Sequence, residues 1–391
     1  GEPRLGFLVS AGNMDSMVNH YSVSKKHRKT DAYTPGGEMG KRPDRAVIVY
    51  GNLIRQQYKK TPIIIGGIEA SLRRVTHYDY WQDALKPSIL VDSGADWLCY
   101  GMGERPMLEI TRAIEAGRNL NDIRKIPQLA FYMDGRSKLK DAVILNSYER
   151  CCKDKEAFAE NFHVIETYAN MLTPPVLIEP VGNGYVQINP TWPPATQEEM
   201  DSFWDLPFTK QPHPRYKGKH IPAFEMIKFS INTHRGCFGG CNFCALAFHQ
   251  GRYITTRSKE SIVNEAKILT SLPDFKGYLH DIGNLVNRVE HSQSGAVMAF
   301  RILDNMGMDP EDIAVIVGAI GNHDEGTGVA ANAVNAALII ADKTDVRRSR
   351  VRNHDKSTFD IHDRVNYSVE KSHVDINEDK TKLTLSMTVD T

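Results

Sequence analysis

Residues 234–252 read HRGCFGGCNFCALAFHQGR, and the reading of this stretch decides the fold of most of the chain. Cys237, Cys241 and Cys244 stand in a C-x3-C-x2-C arrangement, with Phe243 just before the third cysteine. Gly239 and Gly240 let the backbone curl tightly, because glycine reaches conformations closed to other residues. Three thiolates this close on one loop can wrap a single iron–sulfur cubane and leave one of its irons uncovered. With only 6 cysteines in 391 residues and no export signal, the clustering favours metal over disulfides. The alternative is a zinc site completed by His234 or His249, although zinc usually takes its cysteines as two short couples. Cys99 lies in an apolar stretch, and Cys151 with Cys152 in a helix-like one. These three read as ordinary small side chains.

An uncovered iron is chemically useful. It can chelate the amino and carboxylate groups of S-adenosylmethionine, and an electron delivered through the cluster then cleaves the sulfonium and releases a 5′-deoxyadenosyl radical.

On either side of the cysteines, MIKFSIN (226–232) reads as a strand and KESIVNEAKILTSL (259–272) as a helix. Further upstream, RLGFLVSAG (4–12), RAVIVYG (45–51), PIIIGGIEAS (62–71) and ADWLCYGMGER (95–105) are apolar runs ending in glycine-rich loops. That is the pattern of parallel strands buried on both faces. Amphipathic stretches at 43–58 and 104–116 fall between or after them. Residues 1–116 therefore read as a doubly wound, mostly parallel α/β domain. Its ligands are expected at the carboxyl ends of strands, by Gly12-Asn13, Gly66-Gly67 or the loop Gly101–Glu104. The chain begins at Gly1 inside a strand-like run, so a first strand is expected to be missing. The region 117–225 reads as irregular, with a helix over 149–171, a hairpin around Asn183-Gly184, a Thr196/Glu199 capping box and a Pro-rich linker at 211–224.

The 48 basic and 48 acidic residues balance, so nothing global points to nucleic acid or an anionic membrane. The longest weakly polar run, VAANAVNAALIIA (329–341), is too short to span a bilayer. No signal-like segment opens the chain, so a cytoplasmic location is expected.

SAGNMDSMVNHY, DAYTPGG, RPDRAVIVY, GGIEASLRRVTHYDYW, ADWLCYGMGERP, PFTKQPHPRY and THRGCFGGCNFCALAFHQGR together resemble the YgiQ-type radical SAM proteins, from Gly6 to about Tyr278. The resemblance implies that Cys237, Cys241 and Cys244 bind a [4Fe-4S] cluster, that S-adenosylmethionine sits on it with Phe243 beside the adenine, and that a flavodoxin or ferredoxin supplies electrons. The substrate is not implied. The amino-terminal domain is similar to the cobalamin-binding domains of other radical SAM enzymes, but the D-x-H-x-x-G motif for a lower cobalt ligand is absent. A radical SAM partial barrel has about six βα units and needs on the order of 180 residues. That exceeds what remains between Cys244 and Thr391. The GGE-like turn of that family is also missing. A truncated barrel is expected over 226–277.

DFKGYLHDIGNLV (274–286) belongs to two contexts at once. Read from the cysteines it opens a second barrel strand; read forwards it opens a helix before His280-Asp281. From Tyr278 on, YLHDIGN, EHSQSGAV, AIGNHDE and LIIADKTDVRRSR resemble the HD-domain phosphohydrolases. The resemblance implies an α-helical domain over 278–391 in which His280, Asp281, His291, His323 and Asp342 hold one or two divalent ions (Fe, Mn, Zn or Mg), which would polarise a phosphate ester. Arg347, Arg348, Arg350 and Arg352 could grip its oxygens, or form a solvated face. The family's upstream histidine has no counterpart here, since Pro273 stands where that helix would run. Helices are expected at 294–307, 310–323 and 329–342, followed by a β-like tail over 357–391. The chain thus reads as a radical SAM iron–sulfur protein; the alternatives are a metal-dependent phosphohydrolase or an inactive chimera of the two.

Overall fold

Ile63, Ile64 and Ile65 are β-branched and all buried, which suits the middle of a sheet covered on both faces. The computed structural model describes residues 1–241, 244–272, 282, 290–324, 328–346, 348, 351, 361–379 and 381–390. It forms two units, Gly1–Pro273 and Asp274–Thr391.

In the first unit the strands follow in the order β1 (Phe7–Val9), β2 (Ile63–Gly66), a small hairpin of β3 (His77–Asp79) and β4 (Ala84–Lys86), then β5 (Trp97–Cys99), β6 (Leu129–Asp134), β7 (Val143–Ile144), β8 (Leu177–Val181) and β9 (Gly184–Ile188). Seven of them form one sheet in the order β1-β2-β5-β6-β9-β8-β7. The pairs β1/β2, β2/β5 and β7/β8 are parallel; β5/β6, β6/β9 and β8/β9 are antiparallel. The part drawn from residues 1–116, β1-β2-β5, is parallel as expected, and the strands from 117–225 make the whole sheet mixed. Those four strands come from the region expected to be irregular. Hairpin-linked antiparallel strands need no crossover helix, so they leave little periodic signal in the sequence.

The two faces divide the strands by alternation. Ile63, Ile65 and Leu98 pack with Val9, Val47 and Val186 on one side; Ile64, Trp97 and Cys99 pack with Ile110, Leu129 and Phe131 on the other. Burial of Cys99 pushes its thiol up to about 12, so it stays protonated. RAVIVYG is not a strand. Ala46–Gln57 is a helix whose Val47, Tyr50 and Ile54 meet the core at helical spacing. The expected helix over 149–171 divides at Asp154 into Tyr148–Lys153 and Lys155–Ala169, because the Asp154 carboxylate caps the second. The β8–β9 hairpin and the Thr196/Glu199 capping box are present as expected. Gly182 opens the hairpin turn at φ +57°, where a side chain would be strained.

MIKFSIN is not a strand either. Pro222, whose fixed φ suits a first helical turn, starts the helix Pro222–Ile227, and Ala223 N donates to Ala32 O at 2.8 Å. β10 (His234–Arg235) pairs instead with β11 (Thr255–Thr256), antiparallel, and the expected helix follows as Lys259–Thr270.

In the second unit the helices His291–Asn305, Pro310–Gly321 and Ala333–Thr344 occur where periodicity places them, with Ala296, Ala299 and Ile320 packed between the first two. The tail forms a hairpin of β12 (Val369–Ile376) and β13 (Leu383–Val389), but Ile361–Ser368 before it is helical rather than β-like. The junction at 274–280 lies outside the described residues. Among the described residues no helix is long and apolar enough to cross a membrane.

Glu179 on β8 is 1% exposed and accepts the Thr76 N–H with both oxygens, at 3.0 and 2.8 Å. Burial pushes its carboxyl up to about 7, because among the described residues no cation pairs with it. The folded state thus holds this proton more tightly than the unfolded one. Stability falls as pH rises from about 4.5 to about 7 and levels off above, a loss of roughly 3 kcal/mol. Glu179→Gln should raise the melting temperature at pH 8 and leave it nearly unchanged at pH 4.5. Equal shifts at both pH values would refute the assignment.

Candidate functional site

The cysteine loop is closed at its base by the β10/β11 ladder, which tethers both ends of the segment between Arg235 and Thr255. Gly236 makes that closure possible: its φ is +86°, and a Cβ there would collide with the Tyr253 carbonyl. Cys237 N donates to Gly251 O at 3.1 Å, and Cys244 N donates to Cys241 O at 3.1 Å. Three anchors fix the loop to the sheet unit. Arg235 pairs with Glu104 at 2.7 Å, Arg252 pairs with Glu166, and Tyr253 OH donates to Asn170 O at 2.7 Å.

Cys237 is partly buried, while Cys241 and Cys244 are exposed. The sulfurs of Cys237 and Cys241 stand 3.3 and 3.8 Å from the point a Cβ on Gly239 would occupy. Among the described residues no three His, Cys, Asp or Glu side chains are gathered closely enough to hold one metal ion. Such crowding belongs to donors around a single ion; a cubane takes each thiolate on a separate iron, so its cysteines need not crowd together as a zinc set does. A zinc set with His234 or His249 is not gathered among the described residues. His234 is exposed beside the Thr233 hydroxyl at 3.0 Å, and His249 faces a cavity. Phe243 lies outside the described residues.

That cavity, of about 180 Å³, lies beyond the carboxyl end of β5, where ligands of α/β sheets gather. Of the three loops expected there, Gly101–Glu104 lines it; Gly12-Asn13 and Gly66-Gly67 do not. Its far wall is Ala247–Tyr253, on and after the helix Leu246–Gln250 that follows the cysteines. Gln128 shapes the floor by donating to Tyr100 O at 2.7 Å and to Met102 O. Arg74 projects into the cavity between the rings of Tyr100 and Phe248. The sequence reading did not single out Arg74, Gln128 or Trp192. Arg74 sits inside GGIEASLRRVTHYDYW, yet nothing in that stretch separates it from Arg73, which pairs with Asp15.

In the second unit, His291 and His323 meet with their Nε2 atoms 3.1 Å apart. His323 is 1% exposed, and its Nδ1 lies 2.6 Å from Ile320 O. A carbonyl only accepts, so His323 Nδ1 carries a proton; in the neutral ring its Nε2 then accepts from His291. Asp324 is 3.9 Å from His291 Nδ1. Asp342 pairs with Lys343 at 3.1 Å and does not complete a three-donor group with them. His280 and Asp281 lie outside the described residues, as do Arg347, Arg350 and Arg352. Arg348 is held by the tail, donating to Tyr367 O at 2.6 Å and pairing with Asp390 at 2.7 Å.

The profile of the Radical SAM N-terminal family matches residues 1–230, more than half of the chain. The chain belongs to the Radical SAM N-terminal family. The matched region carries the whole seven-stranded sheet and the loop Gly101–Glu104, and stops just short of β10. Similar proteins extend further. A UPF0313 protein of Bacteroides thetaiotaomicron is 50% identical over 296 residues, covering 72% of this chain and 48% of its own length. One from Clostridium botulinum is 47% identical over 292 residues, covering 74% and 45%. A matched span of that size takes in the cysteine loop wherever it begins. This member of the family spans about half the length of those relatives. Among solved structures, the radical S-adenosylmethionine methyltransferase TsrM from Kitasatospora setae aligns with 78% of this chain and 41% of its own, at 16% identity and a TM-score of 0.36.

Proposed function

We propose that this chain is a radical SAM iron–sulfur protein in which Cys237, Cys241 and Cys244 hold a [4Fe-4S] cluster. The observation that carries the reading is the loop itself: three cysteines on a segment tethered at both ends by a ladder, anchored to the carboxyl edge of a sheet that belongs to the radical SAM N-terminal family. The donor set fits such a group. Thiolates are the usual ligands of iron–sulfur clusters, and Gly239 keeps clear the space between two of them that a Cβ would enter. When bound, the cluster supplies the electron that cleaves S-adenosylmethionine. The chain's own part is to hold and orient. Arg252 donates to Gly239 O at 3.4 Å and ties the loop to Glu166, while Arg235 ties its base to Glu104. Phe243 is assigned to the adenine, and a flavodoxin or ferredoxin to electron delivery.

The test is anaerobic reconstitution with iron and sulfide, followed by reduction in the presence of S-adenosylmethionine. Iron and sulfide should bind in equal amounts and 5′-deoxyadenosine should form. Tight binding of zinc with neither iron nor 5′-deoxyadenosine would sink the reading.

A second reading concerns Asp274–Thr391 alone: a metal-dependent phosphohydrolase of the HD type. The meeting of His291 and His323 supports it, because a histidine whose Nδ1–H is held by a carbonyl aims Nε2 in the way metal ligands do. His280, Asp281 and Asp342 would join them around Fe, Mn, Zn or Mg. Hydrolysis of p-nitrophenyl phosphate with Mn²⁺, lost in His323→Ala, is the outcome this reading requires. A chain showing neither activity would be the inactive chimera.

A further inference from the structure

Arg74 is only 7% exposed, yet among the described residues it pairs with no carboxylate. Its neighbour Arg73 pairs with Asp15, and the equally buried Arg257 pairs with Glu265. One Arg74 N–H donates to Ser71 O at 2.7 Å; the guanidinium lies 4.1 Å from the Phe248 ring centre and 5.0 Å from that of Tyr100. A guanidinium has five N–H donors, and burying one without an anion is costly. Burial pulls its pKa below the ordinary value, so the site already disfavours the charge it keeps.

Two further buried nitrogens on the cavity wall have no partner among the described residues: Nδ1 of His249 and the indole N–H of Trp192. Of the four arginines lining the cavity, Arg105 pairs with Glu199, Arg235 with Glu104 and Arg252 with Glu166, so Arg74 alone of them has no carboxylate partner among the described residues. The rest of the lining is largely apolar, including Ile165, Met171 and Phe203. At about 180 Å³ the cavity falls below the roughly 300 Å³ at which drug-sized sites begin.

We infer that this cavity binds a small molecule bearing one carboxylate or phosphate group on a ring-sized apolar body, with the anion on Arg74 and the body against Phe248. The ligand lies beside the helix that follows the cysteines. The proposal goes beyond the cluster reading and is tested without iron.

All four tryptophans lie in the first unit, and only Trp192 lines the cavity, so its fluorescence reports occupancy. The probes are benzoate, phenyl phosphate and neutral benzyl alcohol, added to the full chain at constant ionic strength. At least one anion should saturate the signal at a concentration about tenfold or more below that of benzyl alcohol. Which anion leads decides between carboxylate and phosphate. Trp192→Phe should remove the optical signal. Arg74→Gln should erase the preference for anions, and Arg74→Lys should keep part of it. Equal binding of charged and neutral probes by the parent chain would overturn the proposal without recourse to any variant, as would an unchanged anion preference in folded Arg74→Gln.

Discussion

Cys237→Ala, Cys241→Ala and Cys244→Ala should each lose the reconstituted cluster, with 5′-deoxyadenosine formation falling to background. Changes in the shell around a metal site cost on the order of 10–100-fold in affinity. Removal of a donor is expected to exceed about 100-fold. The fold should survive, because Cys241 and Cys244 are exposed and Cys237 only partly buried. Tryptophan fluorescence and melting temperature should match the parent chain. Cys152→Ser is the matched control: that thiol is exposed like two of the three, but it lies on the helix Tyr148–Lys153 rather than on the loop. It should retain full iron. If any one of the three alanine variants kept its iron and its activity, the assignment of that cysteine would fall.

What was legible in the sequence follows from the range of the forces involved. The Lys259–Thr270 helix, the Thr196/Glu199 cap and the Gly182 hairpin depend on near neighbours, and each could be read directly. RAVIVYG read both ways, as an apolar run and as part of the amphipathic stretch 43–58, because a short apolar run suits a buried strand as well as a buried helix. Only packing on β2 decides for the helix Ala46–Gln57. MIKFSIN failed for the complementary reason: strand character needs a neighbouring strand, and Pro222 had already set a helix going. The cysteines were legible because their chemistry lies in their spacing. The cavity was not, since Arg74, Gln128 and Trp192 come from distant points in the chain and meet only once β5, β6 and β9 are aligned.

Glu265→Ala should destabilise the first unit by about 3–5 kcal/mol, the usual cost of removing one partner from a buried ion pair. The Arg257 side chain is 1% exposed and that of Glu265 5%; Lys210 reaches the same carboxylate. Arg257 also donates to Asn232 O at 3.0 Å and to Ser261 O at 2.9 Å, and lies 4.9 Å from the Trp204 ring centre. It thereby joins the chain entering β10, the helix Lys259–Thr270 and the helix Gln197–Trp204. With the carboxylate gone, Lys210 and Arg257 lose the buried counter-charge they share. Triple replacement, Lys210→Met, Arg257→Met and Glu265→Leu, should recover most of the loss, because a buried ion network replaced whole by apolar side chains is often neutral or stabilising. Urea unfolding followed by tryptophan fluorescence reads this unit alone, since Trp81, Trp97, Trp192 and Trp204 all lie in it. The pair also sits at the base of the cysteine loop, where Arg257 N donates to Thr233 O at 3.0 Å beside the β10/β11 ladder. Glu265→Ala should therefore release iron faster than the parent chain even below the urea concentration that unfolds it. A single variant as stable as the parent chain would show that the network is solvated and that the loop is held by Arg235 and Arg252 alone.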